Sequence, residues 1–421
     1  MSVVRNRTAP PRIRLGILSG EFFDLRLGKR GGFGKNARTV GAFFRDRPEL
    51  GVDVVYLHGW GQAPSHESVW ELDGLPLIRC PEVSGPRLRR WFAYRSLLRR
   101  HRIDLLLTVD YHPAYKWVLY ALPGTPSVVW ARDPRTPGDW AEIDTLSIPG
   151  VEGRPPDSLP FDARDFRRVY RVWRMLGRQL VVAAPDPFVA SKVRQVYGVR
   201  FRNIGHLPTL LDMVPVPVRK SPRPRVIFLG RLDPIKRPWV FWRLAERLPE
   251  VEFICLGASH FPYPAHGWQP VPLPPNLQWL GHVDGHARAE LLASAWVLVN
   301  TSIHEAVPTS FLEALQCETP IVSCQDAGGL VSRFGIYVGR FPGDGLAAVP
   351  HLEGALLALI QDEQRRVDLG RQGRAWVESA CSPDRFLTDW HALLGELGFR
   401  RSRRVAEQSY QPGAAAKESR T

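Results

Sequence analysis

The sequence predicts an α/β protein of two doubly wound domains that face each other across a cleft. Short apolar runs alternate with longer amphipathic stretches from Ile13 to about Leu397, a rhythm typical of parallel sheets covered by helices on both faces. Between two such series lies the segment 208–224, which has five prolines and no amphipathic period. That segment indicates a connection between domains.

Nine apolar runs are predicted strands, each followed by a helical or turn pattern. They are Ile13–Ser19, Val52–His58, Ile103–Val109, Ser127–Arg132, Leu180–Ala184, Arg225–Gly230, Val251–Gly257, Val297–Thr301 and Thr319–Cys324. We expect Rossmann-like domains over residues 1–210 and 225–382, joined by a linker over 211–224. A C-terminal helix is expected over 383–399 and a disordered tail over 400–421.

Composition excludes several classes of protein. Hydrophobic residues make up 44% of the 421 residues, too many for a disordered chain. Five scattered cysteines without C-x-x-C spacing argue against a disulfide framework or a zinc ribbon and favour a reducing cytoplasm. No run reaches 18 apolar residues and the first residues hold no signal-peptide core, so neither a membrane span nor secretion is expected.

The positive charge is concentrated in the first half of the chain. Lys and Arg number 56 against 42 Asp and Glu, a net charge of +14. Residues 1–200 hold 32 basic and 20 acidic residues and so carry +12 of that excess. Such a half attracts anionic partners, which include nucleic acid, acidic lipid and phosphorylated substrates.

A glycine-rich turn follows the first predicted strand. Residues 31–35 read GGFGK and precede a helical pattern over 36–47. Glycines let the backbone approach an anion closely, and the N–H groups at a helix start attract a phosphate. The spacing is neither Walker A nor G-x-G-x-x-G, so a plain βα turn remains an alternative.

Two cations follow the first predicted strand of the second domain. Gly230 ends that strand, Arg231 comes next, and Lys236 stands at the start of a helical pattern. An arginine fork and a lysine point charge at the carboxyl end of a strand suit a diphosphate. Taken alone, these residues fit a solvated helix start equally well.

The segment Thr301–Leu315 places one acidic group before a predicted helix and a second one within it. Glu305 lies in the loop after a predicted strand, and Glu313 lies on a helix that Pro308 can start, since proline suits a first helical turn. Between them, Thr309 and Ser310 are expected to present helix-start N–H groups. A ligand with sugar hydroxyls at two places and a phosphate in the middle fits this arrangement.

The motifs form one pattern along the chain. It consists of the GGFG turn, G-R-L-x-x-x-K from Gly230, N-L-x-W-L-G-H-V over 276–283, S-x-x-E-x7-E-A-L from Ser302, and Gly328-Gly329. The pattern resembles the retaining glycosyltransferases of family 4, which have the GT-B fold. The resemblance covers the chain to about residue 397 and is most specific over 225–330. It implies a nucleotide-sugar donor in the cleft and retention of the anomeric configuration.

The resemblance also implies individual roles. Arg231 and Lys236 would contact the diphosphate, Glu305 the donor sugar and Glu313 the ribose hydroxyls. Further donor contacts would come from Gly31, Gly32, Gly34, Gly230, His282, Thr309 and Ser310. No D-x-D pair occurs in the sequence, so protein cations are expected to replace a metal, and no cofactor is expected.

Two departures from the family pattern concern the sugar pocket. Ala306 and Pro308 stand where the family usually has glycines, and Pro308 offers no N–H to a phosphate. Where the family usually has a histidine near the sugar, this chain has Arg132 and Asp133, which are expected on the acceptor side. His112 is the nearest substitute for that histidine, and a helix-start or core position is an equal interpretation.

Two arginine-rich stretches lie in the first domain. Residues 87–102 (RLRRWFAYRSLLRRHR) hold seven arginines, and residues 166–178 hold five. At helical spacing, four apolar residues of the first stretch are expected to face the sheet: Leu88, Trp91, Phe92 and Leu98. The outward arginines indicate an anionic membrane surface or an anionic acceptor, with a solvated helix as the alternative. The long segment 130–161 is assigned to the acceptor side.

The predicted function is transfer of a sugar from a nucleotide-sugar to a lipid-linked, polysaccharide or small-molecule acceptor. The enzyme is expected in the cytoplasm, with a peripheral position on the inner face of the cell membrane as an option. The alternatives are a nucleotide-sugar epimerase or phosphorylase of the same fold, a catalytically inactive scaffold, and a basic nucleic-acid-binding protein. Specific nucleic-acid recognition is not expected, because the basic residues form no recognition module.

Overall fold

The computed structural model describes residues 12–22, 24, 27, 31–59, 70–81, 85–122, 124–151, 163–211, 216–261 and 272–399. These residues form two mainly parallel sheets, each packed between helices. The predicted α/β class is therefore confirmed. The expected tail over 400–421 lies outside the described residues, as do parts of the expected linker and of the segment 130–161.

The first sheet has the strand order β3-β4-β2-β1-β5-β6-β7-β8. Its strands are β1 (Ile13–Ser19), β2 (Val52–His58), β3 (Glu71–Leu72), β4 (Leu75–Arg79), β5 (Leu105–Val109), β6 (Ser127–Trp130), β7 (Leu180–Ala184) and β8 (Gly205–His206). In the described part of the chain, only β3 is antiparallel to its neighbour. The central strands are buried on both faces, which explains their nearly continuous apolar sequences.

The second sheet has the strand order β11-β10-β9-β12-β13-β14, with all described pairs parallel. Its strands are β9 (Arg225–Leu229), β10 (Glu252–Leu256), β11 (Leu277–Gly281), β12 (Val297–Asn300), β13 (Ile321–Ser323) and β14 (Gly335–Tyr337). This is the 3-2-1-4-5-6 order of a doubly wound sheet, in which ligands bind where the order reverses. Here the reversal lies between β9 and β12.

The helices cover both faces of each sheet. They are α1 (Gly32–Arg45), α2 (Arg87–Arg100), α3 (Lys116–Ala121), α4 (Pro137–Ile143), α5 (Ala163–Met175), α6 (Pro187–Val196), α7 (Pro238–Arg247), α8 (Gly285–Ser294), α9 (Thr309–Gln316), α10 (Leu330–Phe334), α11 (Val349–Gln361), α12 (Glu363–Ala380) and α13 (Pro383–Glu396). On the first sheet, α1 and α13 share one core, whereas α2, α3, α5 and α6 share the other.

Each half of the chain contributes a segment to the core of the other half. From the C-terminal helix α13, Phe386 and Trp390 pack against Phe43 and Phe44 of α1, on the first sheet. In the opposite direction, the segment after β6 sends Ile143 and other apolar residues into the core of the second sheet. Part of the segment 130–161 therefore packs against the second domain, and its assignment to the acceptor side stays a prediction.

Helix α2 has a different orientation from the one predicted. Tyr94 and Leu98 are its buried residues, whereas Leu88 and Phe92 are 65% and 57% exposed. The prediction that Leu88 and Phe92 face the sheet was wrong. The outer side of α2 therefore carries large apolar side chains among its arginines. Within the described residues, no helix combines the length and apolarity needed to cross a bilayer.

Candidate active site

A cavity of about 320 Å³ lies in the cleft between the two sheets, beyond the carboxyl ends of β1, β6, β9 and β12. It brings together residues that are up to 292 positions apart in sequence, which is the geometry expected at facing switch points. Twelve predicted site residues line it: Gly31, Gly32, Arg132, Asp133, Gly230, Arg231, Lys236, His282, Glu305, Thr309, Ser310 and Glu313.

Two predicted site residues do not line the cavity. His112 starts a short helical turn, where its Nδ1 accepts a hydrogen bond from the N–H of Ala114. It was the proposed substitute for a histidine near the sugar, and the structure does not bring it to the cavity. The helix-start alternative is the one observed. Gly34 lies just behind the wall, in the first turn of α1.

Glu305 is a buried carboxylate held from one side. Its Oε1 accepts hydrogen bonds from Lys236 Nζ at 2.5 Å, Ser302 Oγ at 2.7 Å and Asn300 Nδ2 at 2.9 Å. Its Oε2 has no partner among the described residues. Burial alone would raise the pKa of Glu305, but Lys236 and the two other donors outweigh it and lower that pKa. The carboxylate is therefore charged and fixed, with one oxygen available to a ligand.

Two cations stand beside Glu305 at the end of β9. Lys236 lies in a short helical turn that starts at Asp233, whose carboxylate caps it by accepting from the Lys236 N–H. Asp233 also pairs with Arg231 at 3.2 Å, and the Arg231 side chain is 40% exposed. The arrangement presents a guanidinium and an ammonium group to the same end of the cavity.

Glu313 is bound across the cleft. It lies on α9 of the second domain, and its Oε1 pairs with Lys35 of α1 and with Arg288 Nη2 at 3.2 Å. Lys35 directly follows the glycine-rich turn of the first domain. This contact joins the two halves over the cavity, and ribose hydroxyls at Glu313 would compete with Lys35 and Arg288 for its carboxylate.

The glycine-rich turn already holds a carboxylate. The N–H groups of Phe33 and Gly34 both donate to Glu21 Oε1 at 3.1 Å. A Cβ built on Gly31 would lie 2.3 Å from the same oxygen, so a larger residue at position 31 would displace that side chain. The predicted anion-binding character of the turn is therefore used by Glu21, and a phosphate at this place would have to replace Glu21.

His304 forms a buried charge cluster with the first domain. Its Nε2 lies 2.9 Å from Asp133 and its Nδ1 3.5 Å from Asp139. Arg135 also pairs with Asp133, and Lys192 with Asp139, both at 2.9 Å. Burial would lower the pKa of His304, but the two carboxylates outweigh it and raise that pKa. His304 thus links the two domains directly before Glu305, and the two carboxylates favour its protonated form.

Residues 214–376 match the family model described as glycosyl transferases group 1. The match covers most of the second domain and less than half of the chain. A relative from Streptococcus pneumoniae, alpha-galactosylglucosyldiacylglycerol synthase, is 36% identical over 102 residues, which amount to 23% of this chain and 27% of that protein. The chain thus matches about a quarter of the length of this relative.

Solved structures resemble this chain over nearly its whole length. Sucrose-phosphate synthase from Thermosynechococcus elongatus aligns over 94% of this chain and 99% of its own, with a TM-score of 0.63 and 16% identity. Anabaena HepE in complex with UDP aligns over 92% and 100%, with a TM-score of 0.66 and 16% identity. The likeness spans both sheets, so the predicted GT-B fold is confirmed.

Several residues of the cleft were missed by the sequence reasoning. They are Glu21, Lys35, Arg135, Arg288 and His304. Lys35 and His304 lie inside motifs that were identified, so their positions could have been considered. Glu21 and Arg288 lie outside those motifs, and their contacts to the glycine-rich turn and to Glu313 depend on tertiary packing.

The His304 cluster predicts a pH dependence of stability. A histidine with a raised folded-state pKa stabilises fully below its ordinary value of 6.5 and loses that contribution as the pH rises through the folded pKa. We expect the wild-type melting temperature to fall, relative to that of His304→Gln, as the pH rises above 6.5. If the melting temperatures of the two proteins changed with pH in the same way, a charged His304 would be contradicted.

Proposed function

We propose that the protein is an enzyme that transfers a sugar from a nucleotide-sugar donor with retention of the anomeric configuration. The observation that carries the proposal is the fixed Glu305 carboxylate with one free oxygen, next to Lys236 and Arg231 in the cleft cavity. The acceptor is a lipid-linked, polysaccharide or small-molecule hydroxyl.

The chemistry follows from the charges that develop during transfer. Breaking the anomeric bond leaves negative charge on the diphosphate and positive charge on the sugar. Arg231, Lys236 and the unpaired N–H groups at the start of α9 stabilise the leaving diphosphate. Glu305 Oε2 accepts hydrogen bonds from hydroxyl groups of the sugar, and these bonds orient the sugar. In retention by same-face attack, the leaving phosphate oxygen accepts the proton of the incoming hydroxyl.

Uridine diphosphate is the nucleotide we propose to test first. HepE was solved with UDP, and so was TarM of S. aureus, a structure with 13% identity and a TM-score of 0.52 over 72% of this chain. Binding of UDP and of UDP-sugars by calorimetry, followed by NMR of the transferred sugar, tests the proposal. Inversion of the anomeric centre would exclude the retaining mechanism, and release of an epimerised sugar nucleotide without acceptor would favour the epimerase alternative.

Transfer is expected to continue in the presence of EDTA. Arg231 and Lys236 occupy the place where a divalent cation would otherwise stabilise the diphosphate, so the leaving group needs no metal. The measurement is the initial rate of product formation in buffer treated with EDTA and in buffer with added Mn²⁺ or Mg²⁺. A complete loss of activity that either cation restores would contradict this expectation.

Replacement of Glu313 by alanine is expected to raise the donor KM by about 10- to 100-fold. The proposed ribose contacts exist in both the ground state and the transition state, so kcat should change much less. Steady-state kinetics of the variant gives both values. Glu290→Ala, an exposed carboxylate on the neighbouring helix α8, is the matched control and should leave both unchanged. A lower kcat at unchanged KM would contradict the ribose assignment.

A lipid-linked acceptor at an anionic membrane is the acceptor class that the surface supports best. Exposed arginines and apolar side chains share the outer side of α2 and of the end of α5, and we call this surface the basic face. It comprises Arg87, Leu88, Arg89, Phe92, Arg99, Arg100, Arg168, Arg171, Arg174, Met175 and Leu176. Helix α3 packs between α2 and α5. The name of the S. pneumoniae relative, a diacylglycerol-glycan synthase, supports the same class.

A further inference from the structure

Arg132 is a buried cation in the wall of the cavity with most of its hydrogen-bonding capacity unused. Only 5% of the residue is exposed. Its Nη2 donates to Thr209 Oγ1 at 2.9 Å, and its guanidinium stacks on Trp130 at 4.5 Å from the ring centre. Its Nη1 is buried without a partner, and no described residue accepts from its Nε.

The neighbouring carboxylates attract Arg132 but make no hydrogen bond with its guanidinium. Asp133 is engaged by Arg135 and His304. Asp186 and Asp110 are near enough to act on Arg132 electrostatically, but neither accepts a hydrogen bond from its guanidinium. The Oδ1 of Asp186 caps α6, and its Oδ2 is itself buried without a partner. Burial lowers the pKa of Arg132 to about 10, so the group remains charged at neutral pH.

A buried cation with unfilled hydrogen-bonding positions destabilises a fold unless something pairs with it. The guanidinium fork offers parallel N–H groups that match a carboxylate or a phosphate. Arg132 directly precedes Asp133, and Asp133 contacts His304, the residue before Glu305. Arg132 therefore lies at the end of the cavity where the sugar is proposed to bind. The ribose is proposed to bind at the other end, near Arg288.

We propose that Arg132 recognises an acidic group, a carboxylate or a phosphate, on the sugar that is transferred or on the acceptor next to it. The inference rests on the proposed transfer reaction and deepens it, because it names the substrate class. An acidic sugar or sugar phosphate fills the unused hydrogen-bonding positions of Arg132, whereas a neutral sugar leaves a buried charge unpaired.

The test compares acidic and neutral probes of the same shape in the full chain. Calorimetry is performed with UDP-glucuronic acid against UDP-glucose for a donor carboxylate. Methyl glucuronide against methyl glucoside tests an acceptor carboxylate, and glucose 6-phosphate against glucose an acceptor phosphate. We expect one acidic probe to bind at least about 30-fold more tightly than its neutral partner, and Arg132→Met to abolish this preference. UDP alone is measured in parallel, because failure of UDP to bind would reject the proposed donor and not the role of Arg132.

The variants separate recognition from a structural role. Without ligand, Arg132→Met should melt close to the wild-type temperature, since the variant loses one hydrogen bond and the attraction of Asp186 and Asp110 but also the cost of burying a cation. Arg132→Lys should keep only part of the preference because it lacks the fork. Arg178→Met, which removes another arginine stacked on a tryptophan, is the control and should change no preference. Equal binding of acidic and neutral probes in all three pairs, or a marked loss of stability in Arg132→Met, would overturn the proposal.

Discussion

Glu305→Gln is expected to lower the rate of sugar transfer by about 10²- to 10³-fold. Glutamine keeps the shape of the side chain, and its carbonyl oxygen can still accept from Lys236, Ser302 and Asn300. Its amide nitrogen then takes the position of Oε2, so a group that donates hydrogen bonds replaces the oxygen that accepts them from the sugar. The sugar is no longer oriented for attack, although the diphosphate site remains.

The kinetic pattern distinguishes this explanation from a loss of folding. Lys236 loses its carboxylate partner in the variant and becomes a better partner for the diphosphate, so donor affinity should be maintained or increased while kcat falls. Glu353→Gln changes a surface carboxylate paired with Arg247, and it should leave both parameters unchanged. A near-wild-type kcat in Glu305→Gln, or an equal loss in both variants, would remove Glu305 from the site.

The sequence was most informative about the existence of the buried parallel strands. The predicted β1, β2 and β7 have the observed bounds, whereas the predicted β5 and β6 were each two residues too long, because an apolar run indicates a strand better than it indicates where the strand ends. Strand β11 was identified only as part of a motif, since four of its five residues are exposed or half-exposed. The two-residue strands β3 and β8 are too short for any periodic pattern.

Helix α2 shows why burial of an arginine-rich helix was not predictable. It carries two i, i+4 apolar pairs, Leu88 with Phe92 and Tyr94 with Leu98, which lie about 120° apart around the helix. Either pair could have faced the sheet. The structure buries the second pair, and the first remains in the solvent-exposed basic face.

The candidate site, like the fold, could be predicted only in part. The motifs predicted that four residues share one cavity, and the structure places them there: Arg231, Lys236, Glu305 and Glu313. Each of them follows a strand that ends at the cleft. The partners of these residues across the cleft were not predictable. The ion pair of Lys35 with Glu313 spans 278 positions and that of His304 with Asp133 spans 171, and both depend on how the domains face each other. Local spacing carries no information about such pairs.

Reversing two charges on the basic face is expected to weaken binding to anionic vesicles more than about 100-fold. Arg87 and Arg89 are exposed and pair with no described residue, and their replacement by glutamate changes the local charge by four. At about 1 kcal/mol per charge near an acidic bilayer, this loss exceeds the 2.7 kcal/mol that corresponds to 100-fold. The measurement is co-sedimentation with vesicles of phosphatidylcholine alone and of phosphatidylcholine with phosphatidylserine.

Further variants separate lipid binding from general charge and from catalysis. The double variant Arg365→Glu and Arg371→Glu makes the same charge change on exposed residues of α12, in the other domain, and should bind the acidic vesicles nearly as well as the wild type. Leu88→Ser with Phe92→Ser keeps the charge and removes the exposed apolar groups, so it should retain salt-sensitive attraction but dissociate faster.

Raising the salt to 1 M shortens the Debye length from about 8 Å to about 3 Å and should release the wild type. Hydrolysis of the donor in solution should be unchanged in every variant, because the cavity lies in the cleft. Binding that ignores lipid charge, or an equal loss in the α12 control, would show that the basic face does not dock on a membrane.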